Sequence, residues 1–355
     1  MKKDVYGIFY SPTKLFSYGK PLLFSLGCRS IGKSTGFALK LLIDFIEKGR
    51  QFIYCRRTKD ELMLTAANYF DNAVSILRQN GWDIDNVVFS GGVYKLGDKI
   101  CGYAIPLNLQ QKYKSSNYSD VWYILYDEFM VMPGSQSRYI GGKTNISAEV
   151  EAMTSLYQTV DRGIGRAFRN ETTIIFVGNA GSFYNPFFIT YEIDRYLRPD
   201  TKYLAPKDSL YVVEFTRETE ATKQIKESYG YLMSTEKTRS YAYDNKFADL
   251  SGDSFIEKDP PGTRTPLCNL IYEGNCYGVF AYWDAGYIYI SHKRAEGRPD
   301  ISLTTVDHRP NYLMMTSWKG HPVTKRIKEM YDTGNIRFYD YKCKMVIDFY
   351  LSYDA

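Results

Sequence analysis

The sequence predicts a large α/β domain followed by a smaller α+β domain, and three observations carry that reading. Apolar strand-like runs alternate with amphipathic helical stretches up to about residue 205. One strand-to-helix junction, Pro21–Gly36 (PLLFSLGCRSIGKSTG), is a glycine-bounded loop ending in lysine, serine and threonine. From about Tyr243 onward the pattern turns to short alternating runs separated by Gly or Asn, which reads as hairpins. A chain of 355 residues is long for one core and suits two domains.

The junction matches G-x-x-x-x-G-K-[ST] at Gly27, Gly32, Lys33 and Ser34, with Thr35 next in line. In this pattern glycines let the backbone curl so that successive N–H groups face an anion. The lysine reaches the β- and γ-phosphates of a nucleotide, and the serine hydroxyl takes Mg²⁺. The helix that follows adds its positive N-terminal end. Such a pattern arises by chance, so the setting decides: LLFSL reads as a buried strand and STGFALKLLIDFIEKG as an amphipathic helix. That setting predicts a site for ATP with Mg²⁺ rather than a glycine-rich turn with one exposed lysine.

Residues 1–20 read as a polar-aromatic arm. QFIYCRR is a short strand with a basic exit at Arg56, Arg57 and Lys59, equally read as a solvated strand end or as functional. Lys59–Gln79 is predicted helical, with Leu62, Ala66, Phe70 and Leu77 on one face. Val87–Ile105 is predicted to be a β-meander turning at Gly91–Gly92 and Gly97–Asp98. A polar loop bearing Lys112 and Lys114 reads as a connection to the strand VWYILYDEF, which ends in Asp127 and Glu128.

Two adjacent carboxylates at a strand tip are what a Walker B motif requires. Asp127 is expected to hold a water on the Mg²⁺ and Glu128 to orient and polarise the attacking water. The alternative, a solvated acidic turn, loses weight beside the glycine-bounded loop. A helix is predicted over Ile146–Arg162, then an arginine-rich stretch with Arg162, Arg166 and Arg169, then the strand TTIIFVGNA tipped by Asn179. A polar side chain there can contact the γ-phosphate or its water. An acidic strand followed by this polar-tipped strand is the order of the additional-strand (ASCE) P-loop NTPases, whose ring subunits commonly share arginines. An arginine donated in trans is worth ~10³–10⁵ in rate. Singly, each arginine reads as a surface or salt-bridge group; the cluster favours one finger among them.

Residues 206–243 contain the strand LYVVEF and a charged segment of alternating sign, read as a linker or small lid between residues 1–205 and 244–355. In the last part SFIEKD, LCNLIYEG, CYGVFAYWD and GYIYIS read as strands and Val323–Tyr331 as a helix.

The net charge of +5 is uneven: residues 1–243 carry 31 Lys and Arg against 25 Asp and Glu, and residues 244–355 carry 14 against 15. A polyanion partner would thus meet the first part of the chain, although so mild an excess equally fits a solvated basic face. Six cysteines without a C-x-x-C pair and three scattered histidines indicate neither a zinc site nor a disulfide framework. No run of ~18 apolar residues occurs. A soluble protein of a reducing cytoplasm, with no membrane partner, is the expectation.

The run GCRSIGKST, with QFIYCRRTKDEL, YAIPLN, YDEF, GNA, DNKF and FIEKD, resembles the phi29-like bacteriophage DNA packaging ATPases over most of the chain, most densely in residues 20–180. The resemblance implies an ASCE ATPase domain, a small linker and a C-terminal RNase H-like, vestigial nuclease domain. It also implies a pentameric ring that drives double-stranded DNA into a procapsid. Such a ring acts in the host cytoplasm, docked transiently at the portal vertex, with a packaging RNA in some relatives. By the same resemblance Gly27, Gly32, Lys33 and Ser34 match the phosphate loop, and Asp127 with Glu128 the magnesium and hydrolysis pair. Lys59 and Lys114 match lysines that contact or reset nucleotide at the subunit boundary. FRN at Phe168–Asn170 looks like the finger segment, leaving both Arg166 and Arg169 open.

An active RNase H-type nuclease needs carboxylates holding two metals ~4 Å apart. The likeliest first strand, LCNLIYEG, offers Cys268 and Asn269 instead, and Asp253, Glu257, Glu273, Asp284 and Asp348 suit solvated turns equally well. Three readings follow: a ring motor for duplex DNA, a terminase-like motor with a live nuclease, and a nucleotide-switched assembly module without motor work.

Overall fold

The computed structural model describes residues 5–7, 9–28, 31–114, 117–131, 138–142, 147–162, 171–179, 184–193, 202–216, 229–234, 255–318 and 320–352. These divide into two compact units. The larger takes described residues up to 140, 147–185 and 202–234; the other takes 141–142, 186–193 and everything from 255 onward.

The larger unit is built on a nine-stranded sheet. Its strands are β1 (Leu22–Gly27), β2 (Gln51–Arg56), β3 (Val87–Ser90), β4 (Val93–Leu96), β5 (Lys99–Pro106), β6 (Val121–Asp127), β7 (Thr173–Gly178), β8 (Tyr203–Leu204) and β9 (Tyr211–Thr216). They lie in the order β3-β4-β5-β2-β6-β7-β1-β9-β8. The six strands from β5 to β9 in that order run parallel. The expected meander forms one antiparallel flank. β7 stands between β1 and β6, which is the additional strand that the order of motifs in the sequence predicts.

All of β1 and β9 is buried, as parallel strands covered on both faces must be. Side chains alternate between the faces. On one, Leu23 packs with Phe37, Leu41 and Leu42 of helix α1 (Lys33–Lys48) and with Tyr54 and Leu125. In the other direction, Phe24 stacks on Phe176 at 4.3 Å with Phe129 edge-on to both. Each fully buried ring contributes roughly 1.5–3 kcal/mol by leaving water.

Two sequence expectations change here. The single helix expected over Lys59–Gln79 is broken into α2 (Lys59–Thr65), a 3₁₀ turn at Ala66–Asn68 and α3 (Asp71–Gln79). The buried Tyr94 hydroxyl donates to the Ala66 carbonyl at 2.9 Å, and Phe70 turns in against Phe52 and Tyr94. Tertiary packing of aromatics thus overrides helical periodicity. The other change is the boundary at residue 205: β9 lies beyond it, yet pairs with β1 along its whole length, so the linker assignment cannot begin at 206. Most of the charged segment after β9 lies outside the described residues.

A buried ion pair fixes the turn after β6. Arg57 donates to both Glu149 carboxylate oxygens, at 3.0 and 3.2 Å, and to the Phe129 carbonyl at 2.6 Å. Glu149, in helix α4 (Ala148–Val160), also accepts from the Tyr126 hydroxyl at 2.6 Å and the Ile140 amide at 2.8 Å.

The second unit holds a six-stranded sheet of β10 (Thr265–Tyr272), β11 (Asn275–Tyr282), β12 (Tyr287–Ser291), β13 (Asp300–Ser302), β14 (Leu313–Met314) and β15 (Ile336–Phe338). Their order is β14-β13-β10-β11-β12-β15. β10, β11 and β12 form an antiparallel meander, β13 and then β14 run parallel to β10, and β15 runs parallel to β12. Of SFIEKD, expected as a strand, the described residues contribute only an isolated bridge from Ile256 to Phe338. The expected helix is α5 (Pro322–Asp332), with the His321 side chain accepting from the Val323 amide. A further helix, α6 (Tyr341–Ser352), follows and buries Cys343, Val346 and Ile347. Among the described residues no helix is long and apolar enough to cross a membrane.

Breaking one half of the Arg57–Glu149 pair leaves a buried charge uncompensated. Glu149→Leu alone is expected to destabilise the larger unit by about 3–5 kcal/mol in urea unfolding, and Arg57→Met with Glu149→Leu together by less than that single change. Equal losses for the single and double variants would show that the pair is not what fixes this turn.

Candidate functional site

Because the central strands are parallel, their C-terminal ends reach the same edge of the sheet, which is where ligands bind in α/β folds. Register sets the row: Gly27 lies opposite Thr216, Leu26 opposite Gly178, Asp127 opposite Val177, and Cys55 opposite Tyr126. The tips of β1 and β6 are thus one intervening strand apart, or about 10 Å.

At the tip of β1 the loop glycines are required by geometry. A Cβ on Gly27 would lie 1.5 Å from Thr216 Oγ1, whose hydroxyl donates to the Leu26 carbonyl at 2.9 Å. Gly32, the N-cap of α1, sits at φ +80°, in the left-handed region that disfavours side chains. Lys33 opens α1 and is only 7% exposed, its Nζ donating to the carbonyls of Gly27 and Cys28 at 2.8 Å each. Burial pushes the Lys33 ammonium down to about 7, while Cys28, Asp127 and Glu214 pull the other way. Ser34 is exposed and Thr35 half-buried, and the Ser34 carbonyl accepts from the Tyr69 hydroxyl at 3.2 Å. Residues 29–30 of the loop lie outside the described residues.

At the tip of β6, Asp127 is buried and Glu128 exposed. Arg56, at the end of the neighbouring β2, joins them: Nη1 donates to Asp127 Oδ2 at 3.1 Å and Nη2 to Glu128 Oε2 at 2.8 Å. The Tyr54 hydroxyl donates to Asp127 Oδ2 at 3.2 Å, and the Glu128 amide to Asp127 Oδ1 at 3.1 Å. Burial raises the Asp127 carboxyl above its ordinary range against the pull of Arg56. Glu128 holds φ +52°, a left-handed conformation that a residue without glycine's freedom rarely adopts. Such strain recurs at functional sites. The ring of Tyr54 packs on that of Tyr69 at 4.2 Å, so an aromatic bridge connects the acids to α1.

The remaining predicted residues are placed less centrally. Asn179 is half-buried just past β7, on the same edge. Lys59 is exposed at the start of α2, behind a capping box between Thr58 and Glu61. Lys114 is exposed after the 3₁₀ stretch Leu107–Tyr113. Among the described residues neither lysine bonds to Lys33, Asp127 or Glu128. Arg162 is exposed after α4, and Arg166 and Arg169 lie outside the described residues.

Sequence reasoning left Arg56 undecided and missed Tyr54 and Tyr69. A solvated strand end does not describe Arg56 or Arg57, which are 7% and 4% exposed. The available signal was that QFIYCRR ends level with the acidic strand if the two are neighbours, a fact that pairing alone supplies.

The residues fit a magnesium nucleotide. The cradle at Gly27 excludes a side chain, and Lys33 brings a buried ammonium within the field of Asp127. Ser34 and Asp127 are hard oxygen donors of the kind Mg²⁺ takes.

In the second unit the strand LCNLIYEG forms β10, and Asn269 occupies its buried centre. Its Nδ2 donates to the Ala295 carbonyl at 3.1 Å and Asp300 Oδ1 at 3.0 Å, and its Oδ1 accepts from the Ala295 amide at 2.7 Å. Asp300 is in turn paired with Arg294. Glu273 and Asp284 are exposed, while Asp348 bonds to Tyr331 and Lys344. Asp253 lies outside the described residues. Among those described, these acids do not converge on one point.

The sequence model for the podovirus DNA encapsidation protein (Gp16) matches residues 1–353. The DNA packaging protein of Bacillus phage phi29 is 30% identical over 339 residues, covering 93% of each chain. That of Bacillus phage B103 is 27% identical over 327 residues, covering 91% of this chain and 94% of the other. A chain in the solved bacteriophage phi-29 viral genome packaging motor assembly is 26% identical, superposes with a TM-score of 0.68 and covers 98% of both chains.

Burial pushes Lys33 down to about 7, and a polyphosphate in the loop favours its charged form. Above that value the free side chain has lost its proton and must regain it on binding. Nucleotide binding is therefore expected to take up about one proton near pH 8 and none near pH 6, with affinity falling as pH rises past 7. Calorimetry in buffers of different ionisation enthalpy measures this; no uptake at the higher pH would mean that Lys33 is already charged.

Proposed function

The chain belongs to the podovirus DNA encapsidation protein family, and on that premise we propose that it packages double-stranded viral DNA by hydrolysing ATP to ADP and phosphate. The working form is a homo-oligomeric ring, a pentamer by resemblance, docked on the portal vertex of a procapsid in the host cytoplasm. The observation that carries this reading is the buried Lys33 one strand away from the Asp127–Glu128 pair, with β7 between them.

The loop amides and Lys33 bind the phosphates; Ser34, and Asp127 through a water, would hold the Mg²⁺, which would supply charge neutralisation for phosphoryl transfer. Glu128 accepts a proton from the attacking water. For that, the Glu128 carboxylate must leave Arg56, whose guanidinium otherwise occupies it. Asn179 orients the same water from the next strand tip. Arg166 or Arg169 reaches the site of a neighbouring subunit, and Lys59 and Lys114 meet nucleotide at that boundary. DNA is held through its phosphates, independent of base sequence and weakened by salt.

The last unit supports an RNase H-like, vestigial nuclease. A three-stranded antiparallel meander whose first strand is flanked by two further parallel strands is that fold's sheet plan. The position suited to a metal-binding carboxylate on the first strand holds Asn269, with its amide fully engaged.

Lys33→Ala is expected to abolish nucleotide binding, and Glu128→Gln to keep binding while lowering turnover by at least ~100-fold. Parental hydrolysis by the Gln variant would remove Glu128 from the role of base. ATPase rate with and without duplex DNA in the assembled ring separates motor from switch: no stimulation and no translocation favours the assembly module. Incubation of supercoiled DNA with the protein and Mn²⁺ is expected to give no nicking; nicks would restore the terminase-like reading with a live nuclease.

A further inference from the structure

Three side chains, one of them about fifty residues from the other two, meet at one edge of the second sheet. β12 and β15 are parallel neighbours, with Ile290 opposite Phe338 and the Tyr339 amide donating to the Ile290 carbonyl at 2.9 Å. The residues just past both strand ends are therefore brought together. His292 follows β12; Asp340 follows β15 and caps α6, its Oδ1 accepting from the Cys343 amide at 3.0 Å. His292 Nε2 lies 2.7 Å from Asp340 Oδ2 and 3.8 Å from Cys343 Sγ, and one ligand atom from each residue lies within 4.8 Å of the others.

These distances suit a small borderline-soft cation. Zinc bonds of ~2.3 Å to sulfur and ~2.0 Å to nitrogen or oxygen, set tetrahedrally, place N and S ~3.5 Å and N and O ~3.3 Å apart. Sulfur and nitrogen, at 3.8 Å, close by about 0.3 Å and the His292–Asp340 hydrogen bond opens by about half an ångström to admit the ion. A nucleophilic triad does not fit, because thiol and carboxylate both address the same ring nitrogen, so the imidazole cannot relay a proton between them.

A second observation points the same way. The Tyr277 ring packs 5.3 Å from the His292 imidazole, and its fully buried hydroxyl has no hydrogen-bond partner among the described residues. The groups whose charge acts on it most are Cys343 and Asp340. A buried O–H donor without an acceptor costs ~1–3 kcal/mol, and a metal-bound thiolate, carboxylate or water supplies acceptors.

We propose that His292 Nε2, an Asp340 carboxylate oxygen and Cys343 Sγ form a zinc-binding site that staples β12 and β15 to the start of α6. The Cys343 thiol proton passes to solvent as the sulfur–zinc bond forms, and no oxidation state changes. The fourth position goes to water, admitted beside the His292 ring, which is 34% exposed. The site stands at the β12–β15 edge, away from β10 and β13, where a two-metal nuclease centre would sit.

The test uses the purified full chain, freed of metal by chelation and kept in excess Mg²⁺ so that hard oxygen sites are filled. Zinc is expected to bind at one equivalent and raise Tm. Cobalt in its place is expected to give a thiolate-to-cobalt charge-transfer band in the near ultraviolet. Cys343→Ser should abolish the band, and His292→Ala should weaken zinc at least ~10-fold, its zinc-induced shift being read against the variant's own metal-free Tm because the change also removes a partner of the buried Asp340. A parental chain with no cobalt band, a band that survives Cys343→Ser, or a zinc-induced Tm shift untouched by His292→Ala would each overturn the site. If Cys343→Ser does not fold, His292→Ala alone decides.

Discussion

The insertion of β7 between β1 and β6 is the constraint on which the larger unit turns. Adjacent placement would bring Lys33 and Asp127 into a closed ion pair with no room between them, and a wider separation would leave each charge without the other's field. One intervening strand sets ~10 Å between the tips, enough for a phosphate chain and a metal. The same strand presents Asn179 between them. Hydrogen bonding along six parallel strands makes this spacing rigid, so the site inherits its geometry from the sheet rather than from the loops.

Burying so many charges at one sheet edge requires partners, and the edge supplies them in pairs. Arg56 sits between Asp127 and Glu128, Arg57 is enclosed by Glu149, Tyr126 and the Phe129 carbonyl, and Lys33 is held by two loop carbonyls. The contacts differ in kind. The Arg57–Glu149 pair is closed on all sides and is architecture. The Arg56–Glu128 contact reaches an exposed carboxylate on a strained backbone, a contact that solvent can loosen. Lys33 and Arg56 thus engage, respectively, the loop carbonyls and the two acids at this sheet edge.

The second unit uses the same physics to a different end. At the centre of its sheet Asn269 spends its amide on Ala295 and Asp300, and Arg294 neutralises Asp300. A filled hydrogen-bond network rigidifies that centre. Titratable and soft groups gather instead at the opposite edge, around His292, Asp340 and Cys343.

Local sequence determined a good deal. The loop from Gly27 to Ser34 followed by an amphipathic helix, the acidic tip Asp127–Glu128, the meander and the hairpins of the last part were all legible. Each depends on backbone periodicity or on the freedom of a glycine, which neighbours in sequence dictate. Tertiary structure alone decided which strand tips stand side by side. It placed Arg56 against the acids, took β9 into the first sheet past a boundary drawn at 205, and broke the helix at Ala66 by giving its carbonyl to Tyr94. It also brought a histidine and a cysteine 51 residues apart to within 3.8 Å, where spacing in the sequence indicated no zinc site. Strand pairing and the packing of aromatics join residues across long separations, and no periodicity within a single segment carries that information.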